Sequence, residues 1–317
     1  MVSREHLNNM KKYFFFICLL LISNITNSVS IENKIEFKVN NEIITSIDII
    51  KELNFLAALN PKILELEKDK IFKISKNSII KEKIKILEIL KYKKKIEIDS
   101  KYLAKLTRES YLKINLNSES EFLEHLSKYN LNIENFKKKI TVEALWNQII
   151  FSKFNSKINI DQKKIKSGII KNKKNKMISF NLSEIIFLTK KNEILNERFK
   201  KIKYDISLNG FANAAMIHSI SETSKLGGKL GWINQNSINQ NLNDKIKNLK
   251  VGEFTRPMII PGGFLIIKLN ELKEIDKKIN LEEEIKKQIS IKTNQQLNQF
   301  SNMYYNKIKK DIKIEEL

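Results

Sequence analysis

Ile35, Phe37 and Val39 alternate with Glu36 and Lys38; Asn40-Asn41 follows, and Glu42-Ile43-Ile44-Thr45 resumes the apolar pattern. A period of two on either side of a dipeptide that tolerates left-handed backbone predicts a small β-hairpin. Ser46 stands where it can cap a helix through Ile47, Ile49, Ile50 and Leu53. From there to about residue 170 the apolar positions recur at helical spacing. Ile84, Ile86, Leu87, Ile89 and Leu90 crowd one helix, and Phe122, Leu123 and Leu126 follow the cap-like Asn117-Ser118-Glu119-Ser120. Ile140, Val142, Leu145, Trp146, Ile149 and Ile150 mark another helix, and Asp161 opens one with Ile165 and Ile169. No glycine occurs between residue 31 and Gly168, which suits helices better than a turn-rich sheet.

The lysine-rich run 171–176 reads as a solvated linker or an exposed helix end, and either places a boundary there. Beyond it the period shifts back and forth. Phe180–Leu188 reads as a strand, 192–206 and 211–218 as helices, and 230–233 as a strand. A short helix at 244–249 and strands at 254–259 and 264–272 complete the region. This order predicts a small sheet with helices packed on it. After Lys273, Leu281, Ile285, Ile289, Leu297, Phe300, Tyr304 and Ile308 return to helical spacing. The end, Ile312-Lys313-Ile314, alternates like a short strand, which needs a partner; the hairpin at 35–45 is the candidate. The fold class is therefore α+β. A mainly helical domain over 31–170 is completed by 274–317, and a smaller sheet-containing domain covers 177–273.

The N-terminus adds a destination. Met10-Lys11-Lys12 precedes the apolar run Tyr13–Ile22, and the small residues Ser28 and Ser30 follow. A short basic region, an apolar core shorter than the about 20 residues of a spanning helix, and small residues at its end read as a cleavable secretory signal over 1–30. Residues 1–9 then look like an upstream start before Met10. Cys18, the only cysteine, would leave with the signal, so an exported mature chain has no disulfide and no cysteine metal ligand. With His125 and His218 the only mature histidines, metal clusters and serine–histidine triads lack parts, and no cofactor or metal is implied.

The net charge of +22 changes less than it first suggests. All but four of the 58 basic residues are lysine, whereas arginine is the usual residue for bidentate phosphate and base contacts. Lysine, isoleucine and asparagine share A/T-rich codons, so a biased genome accounts for the charge as well as nucleic acid would. What remains is an attraction to anionic membrane surfaces or acidic unfolded chains.

Six of the eight glycines and two of the three prolines lie in one segment. It reads Gly227-Gly228-Lys229-Leu230-Gly231-Trp232, then Gly252-Glu253-Phe254-Thr255-Arg256-Pro257, then Gly262-Gly263-Phe264-Leu265-Ile266-Ile267. These pieces resemble the parvulin family of peptidyl-prolyl isomerases. Behind a signal, with Val39–Ser46 and Asn132-Ile133-Glu134-Asn135-Phe136 in the helical part, the whole arrangement is similar to the SurA-type periplasmic chaperones. It carries one parvulin-like copy where better-known members have two. The resemblance implies a periplasmic protein whose partners are unfolded outer-membrane proteins and proline-containing peptides.

Rotating an X-Pro bond meets a barrier of roughly 18–20 kcal/mol, and a catalyst must bind the twisted amide better than either planar form. The resemblance places a substrate pocket on Leu230, Trp232, Ile238, Leu242, Met258 and Phe264; for an ordinary small domain the same residues are core. It places the family's catalytic positions on Glu184, Ser221 and Leu265. The family usually carries Ser-His on its first strand, where this chain has Ser183-Glu184, and Gly-aromatic-His on its last, where it has Gly263-Phe264-Leu265. The paired imidazoles cannot form, and an exposed or lysine-paired Glu184 is expected, because an unpaired buried carboxylate is costly. Two readings follow: a chaperone with weak or absent isomerase activity, and a working prolyl isomerase with a carboxylate-modified site.

Overall fold

The computed structural model describes residues 33–171, 176–190, 192–276 and 281–317. The signal, with Cys18, lies outside these residues, as does most of the expected linker at 172–175. Ile35–Leu317 pack as one compact unit.

The hairpin forms as β1 (Ile35–Val39) and β2 (Glu42–Thr45), with Asn40 at φ 52° in the turn. Its third strand is β7 (Ile314–Glu316), which pairs antiparallel with β1, so the chain's end closes the sheet in which its first strand lies. Alternation sends Phe37, Val39 and Ile44 inward against Ile49, Ile79, Ile80 and Ile84. The first helix, α1 (Ser46–Leu59), is capped by Thr45 rather than Ser46. The Thr45 hydroxyl accepts from the Asp48 amide, and the Asp48 carboxylate accepts from the Thr45 amide in return.

Helices α2 (Lys68–Leu90), α3 (Ser100–Lys113), α4 (Glu119–Ser127), α5 (Ile133–Phe154) and α6 (Gln162–Lys171) follow. Phe55, Phe122, Leu126 and Phe136 fill one core among them, and Trp146, Leu145 and Ile149 another. The long last helix α9 (Leu281–Lys309) returns to this body. Phe300 stacks on Phe154 at 5.0 Å between centroids, and the Trp146 indole donates to the Ser301 hydroxyl at 2.8 Å.

The second sheet runs in the order β4-β3-β6-β5, all antiparallel: β3 (Lys176–Phe187), β4 (Lys229–Asn234), β5 (Met258–Ile260) and β6 (Gly263–Asp276). The expected strand over 254–259 shrinks to β5, because Pro257 has no amide to give a ladder; Phe254 makes an isolated bridge to Lys268 instead. β6 is longer than expected and carries on through Asp276. The two helices expected at 192–206 and 211–218 meet directly as α7 (Leu195–His218), broken at Gly210 with φ 76°. The break lets His218 Nε2 sit 2.7 Å from Asp205 Oδ2, thirteen residues earlier; a straight helix would hold them about 20 Å apart. α8 (Gln240–Lys247) covers the other face, capped by the Asn239 side chain. One face of the sheet packs Ile185, Phe187 and Ile266 on α7, and the other packs Phe180, Leu182, Leu265, Ile267 and Leu269 with Ile246 of α8.

Candidate functional site

Register decides which side chains meet. Glu184 lies opposite Ile267 and Leu265 opposite Ile186 across the β3–β6 ladder, so the period of two puts Glu184 and Leu265 on one face. On that face Leu230, Ile238, Leu242 and Met258 gather with Leu265 into one apolar cluster. Phe264 and Trp232 do not join it. Phe264 points to the opposite face and stacks on Phe187 at 5.6 Å. Trp232 is 40% exposed and holds the Lys273 ammonium 3.9 Å from its ring centroid. Strand alternation separates both from the cluster: Trp232 lies on the face of β4 opposite its neighbour Ile233, and Phe264 lies on the face of β6 opposite Leu265.

Glu184 is neither exposed nor lysine-paired. The Ser221 hydroxyl donates to its Oε1 at 2.7 Å and the Thr223 hydroxyl lies 3.0 Å from the same oxygen. Burial pushes the carboxyl above its usual range, and the two hydroxyls only partly counter it. The backbone around it is equally constrained. The Glu184 amide donates to the Gly228 carbonyl at 2.8 Å, and a Cβ on Gly228 would lie 2.2 Å from the Glu184 carbonyl oxygen. Gly228, at φ 77°, is thus required both by its conformation and by close approach. The Ser219 hydroxyl accepts from the Ile186 and Ser221 amides, tying the end of α7 to β3.

The turn of Glu222–Leu226 that carries Thr223 turns its charged side chains toward the helical body. Lys85 of α2, its side chain wholly buried, lies 2.6 Å from Glu143 of α5 and 3.0 Å from Glu222. Lys81 lies 2.7 Å from Glu222 and Lys225 lies 2.8 Å from Glu143. Burial pushes the Glu222 carboxyl up, but Lys81, Lys85 and Lys225 outweigh it and hold it well below the usual range. Lys81 is driven down, by burial first and by Lys85 and Lys225 as well. Next to this seam, Lys139 bridges Glu52 and Glu82. Asn213 Nδ2 donates to the Lys62 carbonyl at 3.0 Å, and Met216 enters the helical core. The sequence marked Glu222 only as a neighbour of Ser221. It offered no sign of Thr223 or the lysines, because the contacts join residues 39 to 141 positions apart.

Among the described residues no group of three or more histidine, cysteine or acidic side chains could hold an ion. Nor is any described helix long and apolar enough to cross a membrane.

Residues 178–271 match the family model described as Rotamase, the PPIC-type peptidyl-prolyl isomerase domain. Over this segment the chain is similar to parvulin-type domains. A relative named Chaperone SurA from Pseudomonas syringae pv. tomato is 24% identical over 163 residues, which cover 49% of this chain and 38% of that protein. Periplasmic chaperone PpiD of Haemophilus influenzae is 31% identical over 84 residues, 26% of this chain and 14% of the relative. The chain thus spans less than two fifths of the length of these curated relatives. Among solved structures, a SurA-like chaperone of Campylobacter jejuni is 18% identical, covering 90% of this chain and 99% of that one at a TM-score of 0.35. Within the parvulin-type domain the apolar cluster is assembled, while the two positions where the family usually has histidine hold a hydroxyl-bound carboxylate and a leucine.

Proposed function

We propose that the protein is a periplasmic chaperone of the SurA type that holds unfolded outer-membrane proteins, with a parvulin-type domain of weak or absent prolyl isomerase activity. The observation that carries the second half is Glu184. Its carboxylate is spent on Ser221 and Thr223, and the turn those residues sit in is clamped to the helical body by Lys81, Lys85 and Lys225. A group committed in this way does not weaken amide resonance in a bound X-Pro peptide. The match of about half of this chain, 49%, to a relative named Chaperone SurA supports the first half. In this role the protein acts after export, behind the expected signal, and its positive charge adds weak attraction to anionic membrane surfaces.

A second reading has one observation in its favour. Leu230, Ile238, Leu242, Met258 and Leu265 converge as an apolar cluster of the kind a proline ring needs, which favours an active isomerase assisting exported proteins. Light scattering of an unfolded outer-membrane protein diluted from denaturant tests the chaperone reading. Full-length protein at equimolar ratio is expected to suppress aggregation at both low and physiological salt. Suppression that disappears by about 0.3 M salt would mean binding by charge alone.

A further inference from the structure

We propose that a groove between α6, α8 and α9 binds an extended, uncharged stretch of unfolded polypeptide by its backbone amides; this rests on the chaperone reading and names where the client chain lies. The groove has a volume of about 780 Å³. Its walls are dominated by carboxamides, among them Gln235, Gln240, Asn243, Gln295, Gln296 and Gln299. On α9, Gln295, Gln296 and Gln299 lie three, four and seven residues after Lys292, so the four form a single stripe along the groove. In a chain of net charge +22, the charged residues lining the groove balance: Asp161 and Asp244 against Lys247 and Lys292.

A carboxamide offers two donors and an acceptor, the same complement that a peptide group presents. Gln296 shows the mode in place. The backbone amide of Asn159, in the segment leading into α6, donates to Gln296 Oε1 at 2.9 Å. Gln296 Nε2 donates back to the Asn159 carbonyl at 2.8 Å. One glutamine of the stripe thus reads both backbone groups of one residue. Its neighbours are unspent: among the described residues the side chains of Gln240, Gln295 and Gln299 make no hydrogen bond. Among the described residues the buried amide oxygens of Gln235 and Asn243 have no partner, which is costly until a donor arrives. Backbone reading of this kind ignores sequence, as holding unfolded chains requires. Ile238, which belongs to the apolar cluster of the parvulin-type domain, also lines the groove and offers an anchor for one apolar side chain.

The other cavity of comparable interest, about 400 Å³ at the junction of α2, α7 and α9, is lined by Lys76, Lys81, Lys225 and Lys309. An acidic client segment would go there, and this is the outcome to be distinguished.

The test uses the full-length protein and an uncharged, permanently unfolded 20-residue peptide of Gly, Ser, Thr and Ala with one Leu, labelled with a neutral fluorophore. Binding is read by fluorescence anisotropy. The triple variant Gln240→Ala, Gln295→Ala, Gln299→Ala is expected to lose roughly tenfold or more in affinity while keeping its melting temperature. Lys76→Ala with Lys309→Ala is expected to change affinity by less than about twofold. Wild-type binding that the glutamine variant leaves intact overturns the groove and spares the chaperone reading. Loss in the lysine variant alone moves the site to the cationic cavity and also overturns it. If the wild-type protein binds no peptide and suppresses no aggregation, the groove and the chaperone reading fall together.

Discussion

The parvulin-type domain meets the helical body through two kinds of polar chemistry. At the turn of residues 222–226, opposite charges are paired around a wholly buried lysine: Lys85 lies between the half-buried Glu143 and Glu222, and Lys81 and Lys225 complete the seam. At the groove beside α8, neutral carboxamides line an open space and several have no partner. A buried charge cannot be left single, so the first seam is a lock. An unpaired amide costs far less, and its unmet capacity is available to a ligand. The same contrast runs through the sheet itself. Glu184 belongs to the locked side, whereas Ile238 lies where the apolar cluster meets the open one.

The largest effect expected from breaking this contrast comes from the lock. Lys85→Ala leaves the half-buried Glu143 and Glu222 with only Lys225 and Lys81 and should lower unfolding free energy by as much as about 3–5 kcal/mol. Urea denaturation measures it, and a loss below about 1 kcal/mol would show that water reaches the seam. Gly228→Ala comes next. Its Cβ would meet the Glu184 carbonyl at 2.2 Å from a left-handed backbone position, so a loss of at least about 1–3 kcal/mol is expected. The groove variants, by contrast, should be silent in the same measurement.

Two titrations with opposite signs sharpen the picture further. Burial holds the His218 imidazole below its ordinary value, against the pull of Asp205. The unfolded chain therefore binds the proton first, and the stability His218 contributes at neutral pH is lost as pH falls from about 6.5 through its folded value. Glu184 runs the other way. Its folded carboxyl is raised, so the folded state binds the proton first and stability grows as pH falls through that raised value, levelling off near the unfolded value of about 4.3. Glu184→Gln should change stability at pH 7 by less than about 1 kcal/mol and remove this gain. His218→Gln should remove the opposing loss. Denaturation of the two variants at pH 7, 6 and 5 separates them, and a Glu184→Gln profile identical to wild type would mean that the carboxyl is solvated. The smallest effect is expected at Trp232→Ala, where an exposed ring and Lys273 lose a contact worth about 0.5–1 kcal/mol.

The local patterns were legible and the long-range chemistry was not. Alternation around Asn40-Asn41 placed the hairpin, and the alternation at 312–314 together with the need for a partner led to the pairing of β7 with β1. The glycines at 227, 228, 262 and 263 outlined the small sheet because their conformations are written into residue type. Pro257 shortened β5, and Thr45 took the cap from Ser46; both are single-residue competitions at element ends. That Leu230, Ile238, Leu242, Met258 and Leu265 would come together could also be read, since all are apolar; their clustering fits a pocket and a core alike. Phe264 and Trp232 were placed in the pocket by the family resemblance, and the structure puts them elsewhere. Thr223, Lys85 and Glu143 could not be read at all: their roles arise only when α2, α5 and the turn after α7 come together.

The central claim is that position 184 anchors a docked turn and does not assist proline isomerisation. The direct measurement is the cis-to-trans rate of a chromogenic X-Pro peptide with full-length protein at tens of micromolar, beside the Glu184→Ala and Leu242→Ala variants. The expected result is a rate close to the uncatalysed one and unchanged by either substitution. An acceleration comparable with an ordinary parvulin, abolished by either variant, would contradict it.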